Sequence, residues 1–231
     1  MVCDKLKIRV ISKPRFAVNR INLIILACVL VSVVVWLADP DGLNTGFLAF
    51  STNNLLSGKV WTLVTSLFLH ADILHLGGNM IVLYAFGNAL EKEVGAGKTL
   101  LAFFLGGILA LLFGVLYYPL DAYLVGASAA IFTLAAVVML VKPLKFSFLF
   151  FMPLGLVALI YIIYNVIAVQ NGWEGNVAYF SHVVGFAVGI PLGMKWTKHL
   201  VRNLVVTSGL LVLYFFTALV LVPYLLGLLG V

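Results

Sequence analysis

Apolar and polar positions follow one another along this chain in long blocks. Apolar runs cover roughly residues 21–38, 74–90, 99–118, 123–141, 146–169, 177–194 and 204–229. Each is close to the ~20 residues that a helix needs to cross a hydrocarbon core about 30 Å thick. An eighth run, Val60–Leu69, is too short to span and is predicted to lie against the bundle as an interfacial or partly submerged element. The breaks carry helix stoppers and charges: Asp39-Pro40-Asp41-Gly42, Glu91-Lys92-Glu93 with Gly95, Pro119 with Asp121, Lys142-Pro143 with Lys145, and Asn171 to Asn176. This pattern predicts an all-α membrane protein, a polytopic bundle of seven spans. It holds no low-complexity tract and no convincing internal repeat.

Composition sharpens that reading. Of 231 residues, 64% are hydrophobic and only 10% charged, against about 25% charged in soluble domains. A formal charge of +6 would suit a nucleic-acid binder if it formed a patch. Instead, every Lys and Arg except Lys59 falls in the leader or in alternate breaks, whereas Asp39, Asp41, Asp72, Asp121 and Glu174 fall in the others. That alternation is the positive-inside pattern, so nucleic-acid binding is rejected and the bilayer is the expected partner. The N-terminus is expected in the cytoplasm and the C-terminus outside, in a multi-pass protein of the cell membrane. Residues 1–20 then form a basic cytoplasmic leader with Lys5, Lys7, Arg9, Lys13, Arg15 and Arg20. No small-residue cleavage site follows the first run, which is read as a retained span. Cys3 and Cys28 have no plausible partner across this geometry, and neither a disulfide nor a metal cage is expected. Nothing in the chain specifies an oligomeric state.

Depth brings four polar side chains together. The second, fourth and sixth spans run in the same direction, so distances to their inner ends compare directly. Ser128 precedes Lys142 by 14 residues and His182 precedes Lys195 by 13, roughly 21 and 20 Å at helical rise. Asn79 and His75 precede Glu91 by 12 and 16 residues, roughly 18 and 24 Å. All four lie about a third of the way in from the outer face.

Each has a plain structural explanation when taken alone. Ser128, within Val-Gly-Ala-Ser-Ala-Ala-Ile-Phe, would be a packed serine bonded to its own backbone. His75 and Asn79, spaced i, i+4 on one face, would be interhelical glue. His182 leads His-x-x-Gly-x-x-x-Gly, whose Gly185 and Gly189 would be a helix-packing face. Together they admit a sharper reading. The smooth Gly185 face would most naturally meet the equally smooth Gly126, Ser128, Ala129 face, bringing a hydroxyl to a neutral imidazole in a dry site. Those are the parts of nucleophilic catalysis. No carboxylate lies at this depth, so the chemistry would be a dyad. The Ser128 backbone N–H, His75 and the Asn79 amide are the available oxyanion donors. Zinc held by His70, His75 and His182 is disfavoured, because His70 and His75 are off a common helix face and no carboxylate or Cys joins them.

The residues resemble the rhomboid family of intramembrane serine proteases, from about Trp61 to Gly193. His75 and Asn79 match the family's His-x-x-x-Asn, Gly126 and Ser128 its Gly-x-Ser, His182, Gly185 and Gly189 its His-x-x-Gly-x-x-x-Gly, and Gly87, Glu91 and Gly95 its Gly-x-x-x-Glu-x-x-x-Gly. The resemblance implies six rhomboid-type spans in residues 21–202 and an added seventh in 203–231. It implies cleavage of transmembrane substrates near the outer face, with Ser128 as nucleophile, His182 as base and no cofactor. Gly126, Phe132, Gly185, Gly189 and Glu91 would be structural supports. Three positions depart from the family's habit: Thr62 follows Trp61 in place of Arg, Ala129 follows the serine in place of Gly, and Phe132 stands in place of Tyr. Phe132 can still stack on the imidazole. Two other functions compete: a rhomboid-like pseudoenzyme that binds membrane segments, which normally lacks the serine or the base, and a small-solute transporter. The transporter needs polar residues continuing to the inner face, and below Asn79 and Ser128 the residues turn to Gly, Ala and large apolar side chains.

Overall fold

The computed structural model describes residues 19–39, 45–173 and 177–224. The basic leader before Asn19, the Pro40-Asp41-Gly42 break, Glu174 with Gly175 and Asn176, and the last run beyond Tyr224 lie outside the described residues. In chain order the helices are α1 (Arg20–Ala38), the short α2 (Thr52–Leu56) and α3 (Thr62–Thr65), then α4 (Ile73–Val94) and α5 (Ala96–Gly114). They continue with α6 (Ser128–Val141), α7 (Leu154–Gln170), α8 (Tyr179–Trp196) and α9 (Leu200–Phe216). Helix α1, α4, α5 and the segment Leu200–Tyr224, which extends α9, are long and apolar enough to cross a membrane by length and composition. The chain is an all-α, multi-pass membrane protein.

Helix α6 is the centre of the bundle. Every residue from Ala129 to Leu140 is buried, and α4, α5, α7, α8 and α9 all pack on it, α8 most extensively. A helix hydrophobic on all sides is the one expected in the interior. Its neighbours come close where glycine faces it. A Cβ on Gly189 would meet the Thr133 carbonyl and sit 2.7 Å from Ala136 Cβ, and one on Gly106 of α5 would run into the Thr133 side chain.

Two expected boundaries are corrected. The fourth helix starts at Ser128, not near Tyr123: Gly126 has φ +111°, outside helical space, and Leu124 N–H donates to Phe50 O at 2.8 Å in an antiparallel bridge. The fifth helix starts at Leu154, not Phe146. Phe146–Ser147 pairs antiparallel with Met152–Pro153, and Phe151 takes φ +53° at the turn. Phe148 and Phe150 lie in the turn between these two short strands, and Pro153 biases the residue before it away from helix.

The Gly87, Glu91, Gly95 pattern pins α1 to α4. Gly87 leaves room for Ile21, whose Cγ2 would lie 2.6 Å from a Cβ there. The Glu91 carboxylate accepts Arg20 N–H at 2.7 Å and Ile21 N–H at 2.9 Å, capping α1 from a distant part of the chain. Gly95, at φ +88°, then ends α4. The run Val60–Leu69 forms α3 and a 3₁₀ turn, with Ser66 and Leu67 buried. Ser32 Oγ donates to Phe68 O at 3.1 Å and holds that turn to α1. In place of an Arg at position 62, the preceding loop is tied down by Trp61 Nε1 to Phe47 O (2.9 Å), Thr65 Oγ1 to Leu48 O (2.6 Å) and Asn54 Nδ2 to Ala49 O (2.9 Å). Helix α9 docks through Asn203, whose Nδ2 donates to Leu140 O at 2.8 Å and so satisfies a carbonyl at the end of α6.

Glu91→Ala removes both acceptors for the first turn of α1. It is expected to cost about 1 kcal/mol, as loss of a helix N-cap does. Thermal melts in detergent check this, and Glu91→Gln, which keeps one acceptor oxygen, should lose less.

Candidate active site

The site is assembled where α6 begins. Because Gly126 adopts φ +111°, the chain turns abruptly and Ser128 becomes the first helical residue. The first backbone N–H groups of a helix have no intrahelical partner, so the Ser128 end of α6 presents free donors. The turn is held by Gly126 N–H donating to Ser66 O at 2.9 Å. Glycine is needed here for space as well as for φ: a Cβ would lie 2.7 Å from His75 Nε2 and 3.3 Å from Asn79 Nδ2. His75 and Asn79, one turn apart on α4, therefore sit directly against the turn that carries Ser128.

Helix α8 brings the imidazole. A Cβ on Gly185 would run into the carbonyl of Ala129, so only glycine permits this approach of the two backbones. Thr133 Oγ1 donates to Gly185 O at 2.7 Å and locks the register of α6 against α8. At that register His182 Nε2 lies 2.8 Å from Ser128 Oγ. Phe132, one turn below the serine, stacks on the imidazole with centroids 4.5 Å apart and planes 8° apart. The four side chains that depth grouped are thus in one place. Gly126, Phe132, Gly185 and Gly189 support them at close range, whereas Glu91 supports the far end of α4.

These residues line a cavity of about 580 Å³, walled by Leu74, Val82, Ile131, Ile160 and Tyr161. The walls are largely apolar, and Ser128, His182, His75, Asn79, Asn165 and three tyrosines supply the polar groups. The Asn79 amide nitrogen is buried without a hydrogen-bond partner. A buried unpaired donor costs roughly 1–3 kcal/mol, which suits a group held ready for something that arrives later. His75 Nδ1 accepts Ala71 N–H at 3.4 Å, which leaves the ring proton on Nε2, the nitrogen that faces Gly126. His70 is occupied elsewhere: its Nδ1 pairs with Ser32 Oγ at 3.1 Å, and its ring meets His75 edge-on at 5.1 Å. No group of three metal-ligating side chains occurs among the described residues.

Sequence reasoning missed Asn165. Its Oδ1 lies 2.7 Å from His182 Nδ1, and its Nδ2 donates to Tyr161 O at 2.8 Å. A helix starting at Phe146 would carry this residue roughly 29 Å along, at the far interface; starting at Leu154, it stands roughly 17 Å along, level with His182. The signal was a lone amide inside an apolar run, which in a membrane span is a functional candidate by default.

Gly126→Ala is expected to destabilise by more than about 1 kcal/mol, since the new side chain combines a positive φ with a clash on His75. Gly193→Ala should be milder than Gly185→Ala, because at position 193 a Cβ first meets the movable Leu140 Cδ1, at 2.8 Å. Melting temperatures of the three variants check this order.

A family model described as the rhomboid domain matches residues 57–199, more than half of the chain. The rhomboid-family protein YdcA of Bacillus subtilis is 36% identical over 106 residues, covering 46% of this chain and 49% of that protein. Rhomboid-like protein 11, chloroplastic, of Arabidopsis thaliana is 42% identical over 79 residues, covering 34% of this chain and 28% of its own. Rhomboid protease GlpG of Salmonella newport is 26% identical over 172 residues, covering 74% of this chain and 60% of its own. The chain thus spans less than two thirds of the length of each of these relatives.

Proposed function

The chain belongs to the rhomboid family, and from that premise we propose that it is an intramembrane serine protease that hydrolyses peptide bonds of transmembrane substrates near the outer membrane face. The observation that carries the proposal is the 2.8 Å contact between Ser128 Oγ and His182 Nε2, set in an apolar cavity beside an unpaired amide. A relative named as a rhomboid protease, GlpG, aligns over 74% of the chain and supports it. A pseudoenzyme would normally have lost one of these two groups.

In the proposed reaction Ser128 Oγ attacks the scissile carbonyl carbon as His182 Nε2 takes the hydroxyl proton. The carbonyl oxygen becomes an oxyanion, stabilised by the Ser128 backbone N–H at the start of α6, by Asn79 Nδ2 and by His75 Nε2–H. His182 then gives its proton to the leaving amine, and the C–N bond breaks to leave an acyl-Ser128 ester. A water attacks the ester with His182 again as base, which releases the acid and restores the serine. No step calls for a metal or a cofactor. The reach of this chemistry is set by α6, whose 14 residues extend only about 21 Å, short of a hydrocarbon core about 30 Å thick. With its Lys142 end at the cytoplasmic interface, the serine lies inside the membrane toward the outer side.

The same reading gives α1, α4, α5, α6, α7 and α8 as the six family spans and α9 as an added seventh, with the N-terminus cytoplasmic and the C-terminus outside. The Lys and Arg distribution supports it.

Ser128→Ala and His182→Ala are expected to abolish cleavage of a transmembrane substrate and labelling by a serine-reactive fluorophosphonate, while still inserting and extracting normally. Near-normal turnover in either would refute the assignment of nucleophile and base. His75→Ala and Asn79→Ala should each lower kcat on the order of 10²-fold, and a change confined to KM would make them binding groups instead. For orientation, Asp121→Cys should react with a membrane-impermeant thiol reagent from outside and Lys198→Cys should not. Labelling of both from one side would overturn the seven-span arrangement.

A further inference from the structure

We propose that Asn165 is the positioning residue of the Ser128–His182 pair, holding the imidazole in the tautomer and in-plane orientation that leave Nε2 free to accept the serine proton. The inference rests on the reading of Ser128 as nucleophile and His182 as base.

Tyr161 O lies one helical turn before Asn165 on α7, 2.8 Å from the amide. A carbonyl can only accept, so the end of the amide facing it must be the NH₂. Turning the amide over would set two acceptor oxygens against each other. The other end, Oδ1, therefore faces His182 Nδ1 at 2.7 Å, and that oxygen can only accept. Nδ1 must then carry the proton. A neutral imidazole has one N–H, so Nε2 is bare, and across its 2.8 Å contact the Ser128 hydroxyl must be the donor. With the opposite tautomer Nε2 would carry the hydrogen and could take no proton from the serine. The hydrogen-bond polarity that nucleophilic attack requires is thus set from the backbone of α7.

Geometry adds a second role. Phe132 stacks on the imidazole face at 4.5 Å and 8°, which stops the ring from tilting but lets it slide and turn within its own plane. The Asn165 bond lies in that plane and opposes this motion. Two helices therefore supply two complementary restraints on a ring borne by a third. When the imidazolium forms during attack, the Oδ1 dipole also faces the Nδ1–H, in the place where a carboxylate would stand in a triad. Both polar ends of this buried amide are satisfied, so it is fully committed to this arrangement.

The alternative is that Asn165 only glues α7 to α8 and contributes to stability alone. Fluorophosphonate labelling of the purified full-length protein in detergent, resolved into kinact and KI and paired with a melting curve, separates the two. Asn165→Ala and Asn165→Leu both remove the acceptor. Each is expected to lower kinact on the order of 10²-fold with KI unchanged. In Asn165→Asp a neutral carboxyl can still donate to Tyr161 O and accept from Nδ1–H, and an ionised one still accepts, so kinact should return to within about tenfold of wild type. Undiminished kinact in the Ala and Leu variants, whatever their melting temperatures, would overturn the positioning role. So would an Asp variant no faster than the Leu variant. Equal labelling of wild type and Ser128→Ala, or no labelling of wild type, would instead bring down the serine itself as nucleophile, and this inference with it.

Discussion

The close approach of α6 to α8 is the constraint on which the rest of the structure depends. In a bilayer the lipid tails are as apolar as the helix faces, so helices associate through packing and hydrogen bonds and not through burial from water. Gly185 and Gly189 strip α8 of side chains where it meets the Ala129 and Thr133 carbonyls, and the Thr133 bond to Gly185 O sets the register. A rotation or slide of one residue would turn His182 away from Ser128. The 2.8 Å contact between them is therefore a property of two backbones, and the two side chains inherit it.

Shortness matters as much as closeness. If α6 had continued upward through Tyr123, Ser128 would be a mid-helix residue whose N–H was spent on the preceding turn. The positive φ of Gly126 stops the helix at the serine, and the missing Cβ admits His75 and Asn79 from α4. One backbone conformation thus frees an N–H, exposes a hydroxyl and makes room for two more donors. The bridge between Phe50 and Leu124 holds the chain above this turn, so the loop after α1 helps to shape the site from outside the bundle. That loop rests on Trp61, Thr65 and Asn54 bonding to backbone carbonyls, an arrangement that does not need an arginine after Trp61.

Support at a distance comes from the other ends of the same helices. Glu91 caps α1 at the far end of α4, and Asn203 of α9 takes up a carbonyl at the end of α6. Each satisfies backbone groups that have no partner within their own helix. Neither touches the cavity, yet each fixes a helix that carries a group lining it.

The sequence by itself determined that this is a helical membrane protein, because runs of about 20 apolar residues admit no other structure in lipid. It also grouped His75, Asn79, Ser128 and His182, since helical rise converts residue counts into depth and a charged break marks each helix end. Depth is one coordinate, and the remaining two belong to the tertiary structure. That the Gly185 face meets the Ala129 face was legible in their small side chains, but the register between them was decided by the Thr133 bond to Gly185 O. The start of α6 was decided by a φ that only Gly126 tolerates well. The start of α7 was decided by a short hairpin that lay hidden inside an apolar run. That last shift moved Asn165 by eight residues, from the level of an interface to the level of His182. No reading of apolar runs could have placed it there, because hydropathy records that a residue is out of water and not where its helix begins.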